Sequence, residues 1–85
     1  MRILAINEDE LYNIGSVIKK MRCGQHKTQK GLAEAAGISR QALSRIETLK
    51  AIPQWNTAVL LLNQLGCQPR LEFRPLPTTY KLMEG

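Results

Sequence analysis

The chain is short of nearly everything that catalysis, metal binding or membrane insertion requires. Its two cysteines, Cys23 and Cys67, stand 44 positions apart with no second thiol near either, and His26 is the single histidine. Neither a metal site nor a redox pair is indicated, and two unpaired cysteines suit a reducing cytosol. No Ser-His-acid or Cys-His arrangement is suggested, no glycine loop could cradle a phosphate, and no cofactor is implied. The longest apolar run, Ala58 to Leu62, is far too short to span a bilayer. The start, MRILAINEDE, passes from a brief apolar run straight into three acidic residues, unlike the long apolar stretch of a signal peptide. A soluble, cytoplasmic protein without a membrane partner is expected.

What is present is basic charge, unevenly placed. The formal net charge is +5. Residues 19–50 hold Lys19, Lys20, Arg22, Lys27, Lys30, Arg40, Arg45 and Lys50 against Glu34 and Glu47, a net +6 that leaves −1 for the rest. A solvated basic face would account for such a cluster by itself, but its coincidence with a compact pair of helices favours a polyanionic partner. An 85-residue chain makes one domain. Folding at that size buries only about 60% of the unfolded surface, so a dimer interface would add needed stability.

The pair of helices is written in QKGLAEAAGISRQALSRIE, residues 29–47. Leu32, Ala33 and Ala36 form one apolar stripe, Gly37-Ile38 interrupts it, and Leu43 and Ile46 resume it after a fresh N-cap at Ser39. Ala33 is small enough for a close crossing, Gly37 can take the left-handed conformation that ends a helix, and Ile38 plugs the angle. Upstream, Asn7 and Glu10 form a capping-box pattern, and Leu11, Ile14, Ile18 and Met21 share one face of a first helix over about 8–23. Gly15 inside that helix is unfavourable by about 1 kcal/mol relative to Ala, a penalty that close approach of a neighbouring helix would explain. Thr28 caps a second helix over 29–36, Ser39 a third over 39–48, and Pro53 precedes a fourth over 54–65 that stops at Gly66. On the fourth, Trp55, Ala58, Val59, Leu62 and Leu65 supply the core face, leaving Leu60 and Leu61 apolar outside it for a partner contact.

After Gly66 the period changes. Leu71 and Phe73 alternate with Arg70, Glu72 and Arg74 between Pro69 and Pro75, which reads as one short strand. Its partner is either MRILAI, itself strand-prone, or the same strand of a second subunit in an isologous arrangement.

With these residues in view, the chain resembles the Cro/lambda-repressor-like (Xre-type) helix-turn-helix family. The carriers are IGxxIKxxR at Ile14 to Arg22, Thr28-Gln29, LAxxAGIS at Leu32 to Ser39, RIE at Arg45 to Glu47, and the Pro53 to Gly66 spacing. The resemblance implies a mainly α, four-helix lambda-repressor-like domain with a short C-terminal strand pairing across a dimer. Residues 1–74 would form the DNA-binding and dimerisation domain and 75–85 a flexible tail. The strand after the last helix is similar to that of HipB-type antitoxins, which implies a HipA-type kinase toxin as a further partner. Stand-alone Xre-type repressors share everything upstream of it. The chain departs from the family pattern at His26, where glycine is usual, at Lys27, at Gly31, and at Thr48-Leu49 in place of the frequent Asn-Gly.

A helix laid in the major groove offers its N-terminal residues to base edges. Here those are Ser39, Arg40, Gln41, Ser44 and Arg45; either arginine could fork onto guanine and Gln41 could pair with adenine. The resemblance places a phosphate hydrogen bond at Gln29, with Thr28, Lys27, Lys30 and Lys50 as neighbours. It also makes Arg22 and Glu47 a structural salt bridge, and Leu60, Leu61, Leu71 and Phe73 are the candidates for dimerisation. The expected function is a homodimeric transcriptional repressor on a palindromic DNA operator, in an antitoxin or a stand-alone version. A protein-interaction adaptor on the same scaffold is the competing class. An enzyme is disfavoured.

Overall fold

The computed structural model describes residues 1–73, so Arg74 and the 75–85 tail of the sequence reading lie outside the described residues. Strand β1 (Arg2–Asn7) leads through a 3-10 segment (Glu8–Asn13) into α1 (Ile14–Gly24), α2 (Gln29–Ala36), α3 (Arg40–Glu47), α4 (Trp55–Gln64) and strand β2 (Cys67–Glu72). The fold is mainly helical. The single first helix expected over 8–23 is divided: Asn7 N–H donates to Glu10 Oε1 (3.4 Å) at the head of the 3-10 turn, and regular α geometry begins at Ile14. Tight 3-10 turns are common where a helix begins, and the mostly polar EDELYN segment has no fully buried residue, Leu11 alone packing partly buried against the core.

The two central helices start and stop for visible reasons. Thr28 Oγ1 accepts from Gly31 N–H (3.0 Å), and Ser39 Oγ accepts from Ala42 N–H (3.0 Å), so each side chain satisfies a donor that the first turn leaves unpaired. Gly37 ends α2 at φ 75°, and Ile38 N–H returns to Ala33 O (3.0 Å), closing the turn before α3. His26 takes the glycine-like conformation its loop requires, at φ 57°, which histidine tolerates better than most residues.

Ile6, Ile14, Ile18, Leu32, Ala33, Leu43, Ile46, Leu61, Leu62, Leu65 and Cys67 form one buried core. Gly15 lies in the α1–α3 crossing, where an added Cβ would stand 2.7 Å from the Ile46 carbonyl carbon and closer still to its oxygen. The glycine expected to allow a close approach does so. Two expectations for α4 are corrected. Leu61, expected outside the core, is fully buried, and Trp55, expected inside it, is 37% exposed. The helix packs on α2, α1 and β2 together, so its buried sector is wider than a stripe facing one helix and is turned toward Leu61.

Of the two partners expected for the C-terminal strand, it pairs with MRILAI of its own chain and not with the same strand of a second subunit. β1 and β2 run parallel with Arg2 opposite Cys67 and Asn7 opposite Glu72, joined by a crossover that contains all four helices of the described residues. Pro69, read as the strand's boundary, sits inside it. Leu71 is half-buried, whereas Phe73 at 68% and Leu60 at 46% are exposed.

Candidate nucleic-acid interface

α3 rests on Leu43 and Ile46, both buried. Helix geometry therefore sends the residues between them the other way: Arg40, Gln41 and Arg45 are exposed and Ser44 is half-buried. At spacings of three and four these side chains share one surface. Ser39, one residue ahead, keeps its hydroxyl proton free while its oxygen caps the helix. The outward face of α3 thus carries two guanidinium forks, one amide and two hydroxyls without an acidic side chain among them.

The N-terminus of α2 completes the corner. Gln29 lies half-buried at its first position, and its Nε2 donates to Glu47 Oε1 (3.0 Å). One N–H of the side-chain amide expected to meet a phosphate is thus held by a carboxylate, which fixes the side chain and leaves its second N–H, with the backbone N–H groups of Gln29 and Lys30, to face an anion. Thr28 is exposed beside them with its oxygen engaged in the cap. Lys30 and Lys50 are exposed, and the Lys50 loop is fixed by Lys50 N–H donating to Arg45 O (2.9 Å). Lys27 is directed elsewhere: its Nζ donates to Gln64 O (2.7 Å). Beside it Gln25 Nε2 donates to Leu65 O (2.9 Å), so two loop side chains close the C-terminal carbonyls of α4. Polar residues in a loop carry no spacing signal that would have revealed this.

Beneath the corner, Arg22 and Glu47 are joined by two bonds, Nε to Oε2 (2.7 Å) and Nη2 to Oε1 (2.9 Å). Arg22 Nη1 also donates to Lys27 O (2.8 Å). Burial pushes the Glu47 carboxyl up, but the hydrogen bonds from Arg22 and Gln29 and the nearby positive charge outweigh it and hold the group below the usual carboxylate range. The hydrogen bond to Glu47 raises the Arg22 guanidinium above its ordinary value against the opposing effect of burial. Both residues are buried, so neither is presented to a ligand. They tie α1 to the end of α3, and Gln29 links α2 to the same carboxylate. One ionised group therefore orients all three helices that present the basic surface.

The proposed dimer residues do not form one surface. Leu61 belongs to the core, Leu71 is half-buried in β2, and of the four only Leu60 and Phe73 are exposed. Leu49, which stands where the family pattern frequently has glycine, follows α3 at φ 63° and is 48% exposed, a left-handed conformation that a bulky side chain rarely takes. Among the described residues no helix is long and apolar enough to cross a membrane.

A family model described as helix-turn-helix matches residues 18–71. No curated protein and no solved structure matches the chain. The matched span covers more than half of the 85 residues and contains α2, the Gly37 turn and α3 in full. The chain belongs to the helix-turn-helix family, in its Xre/lambda-repressor-like form of DNA-binding regulators.

Proposed function

We propose that this protein is a transcriptional repressor that binds a palindromic operator as a homodimer. Each protomer inserts α3 into the major groove, with the two helices about 34 Å apart on one side of the duplex. The observation that carries this is the exposed, acid-free face of Arg40, Gln41, Ser44 and Arg45 on a helix anchored by Leu43 and Ile46. Long forked and amide side chains can read base edges, whereas the α2 N-terminus, Lys30 and Lys50 meet backbone phosphates and set the register. An adaptor has no use for that face.

The HipB-type version, with a HipA-type kinase toxin as second partner, drew its support from a C-terminal strand shared across a dimer. β2 pairs with β1 of its own chain, so that observation no longer favours it, and the repressor is proposed without a toxin. Gel shifts on the DNA upstream of the gene, at two salt concentrations, test the proposal. Affinity should fall with salt at about 0.9 in log–log slope per phosphate contact. A missing or salt-insensitive shift refutes it.

A further inference from the structure

The two edges of the sheet are not equivalent. Arg2 N–H donates to Gly66 O (3.1 Å), and Arg2 stands opposite Cys67 in the register. In a parallel ladder alternate residues point their backbone groups at the neighbour, so Arg2, Leu4 and Ile6 bond to β2 while Ile3 and Ala5 aim theirs outward. On β2 the outward-facing positions are Cys67, Pro69 and Leu71. Pro69 has no N–H, so the β2 edge lacks its central donor. The β1 edge is intact. Ile3 is 63% exposed and Ala5 is exposed, and neither has a backbone partner on that side among the described residues. Such an edge is a template for one more strand.

Charge selects the occupant. β1 begins at Arg2 and runs directly into Glu8, Asp9 and Glu10. A second β1 laid antiparallel sets the basic start of each strand beside the acidic end of the other, a complementarity that a two-fold axis provides twice. With Ile3 of one copy opposite Ala5 of the second, Leu4 meets its own copy on the axis, a large side chain sits beside a small one on the outer face, and four N–H to O=C bonds form. Asn7 N–H is already donated to Glu10 Oε1 (3.4 Å), which ends the ladder there.

We infer that β1 is the dimerisation strand: two copies of this chain join through antiparallel β1 edges into a four-stranded sheet ordered β2–β1–β1–β2. This rests on the homodimer proposed above and names its surface, which is neither β2 nor Phe73. The test is sedimentation equilibrium of the full chain over a concentration series, with far-UV circular dichroism as the fold control. Ala5→Pro removes an outward donor and no bond to β2. Two such donors are lost per dimer, so the dissociation constant should rise roughly thirty-fold. Ile3→Lys, which places a charge on the same edge without touching the backbone, should weaken the dimer as well, and Phe73→Ser should not. Dimerisation at wild-type strength by both edge variants, or a wild-type chain that stays monomeric at every concentration, overturns the inference. Gel shifts in parallel separate it from the repressor reading: a wild-type dimer without salt-dependent DNA binding removes the latter and leaves the strand pairing standing.

Discussion

Replacing Gly15 with alanine should destabilise the fold, although alanine is the better helix former. The added Cβ would stand 2.7 Å from the Ile46 carbonyl carbon, 3.3 Å from its Cγ2 and closer still to its carbonyl oxygen. Ordinary carbon contacts lie at about 3.5 to 4.0 Å, so α1 must retreat from α3 by roughly 1 Å. Backbone cannot swing aside as a side-chain tip can. The same crossing holds the Arg22–Glu47 bonds at 2.7 and 2.9 Å, which the retreat would stretch. Overpacking of this kind costs about 3 kcal/mol at its upper end, and the helix preference for alanine returns about 1, leaving a net loss of about 2. In a domain of this size that lowers Tm by roughly 8 to 16 °C. Thermal denaturation followed by circular dichroism reads it directly. Gly24→Ala, in the same helix with nothing within 4 Å of its added Cβ, is the matched control and should be neutral or mildly stabilising. If Gly15→Ala melts at or above the wild-type temperature, the close crossing is wrong.

Four further outcomes follow from the same geometry. Leu49→Gly should stabilise the protein by about 1 kcal/mol, because only glycine adopts a φ of 63° without strain; an unchanged or lower Tm counts against it. The Glu47 carboxyl is held below its usual range in the folded state, so its contribution is fully present above about pH 4.3, the ordinary glutamate value, and is lost as pH falls toward the lower folded value. Urea titrations between pH 7 and 3 should show that loss, and Glu47→Ala, which strands a buried arginine, should cost about 3 to 5 kcal/mol already at pH 7. Lys27→Met should lower stability by about 1 kcal/mol through loss of its bond to Gln64 O, yet leave the salt dependence of DNA binding unchanged; a shallower salt slope would return Lys27 to the phosphates.

The local parts of the architecture were readable from residues alone. Thr28, Gly37 and Ser39 mark helix ends by chemistry that acts within four residues, and α2 and α3 fall within one residue of the expected limits. Gly15 was informative because it is a poor choice for a helix unless something lies against it. What could not be read depends on distant partners. The strand partner of β1 lies beyond residues 8–66, which hold the four α-helices and their loops, and alternation announces a strand without saying what it pairs with. The buried sector of α4 turned toward Leu61 because a sheet that could not be placed in advance packs against that helix. Gln29 was assigned to phosphate from its position, which says nothing of the bond that one of its amide N–H groups makes to a carboxylate 18 residues away. The contacts of Gln25 and Lys27 with α4 likewise exist only once the tertiary fold has formed.

The central claim, that the outward face of α3 reads bases, is tested most directly by selecting binding sites from a random-sequence DNA pool with wild-type protein and with the Arg40→Ala, Gln41→Ala double variant. Wild-type protein should enrich a palindrome whose half-sites lie about one helical turn apart, and the variant, with an unchanged circular dichroism spectrum and melting temperature, should enrich none. Enrichment of the same motif by both proteins, or of no motif by the wild type, would contradict the account.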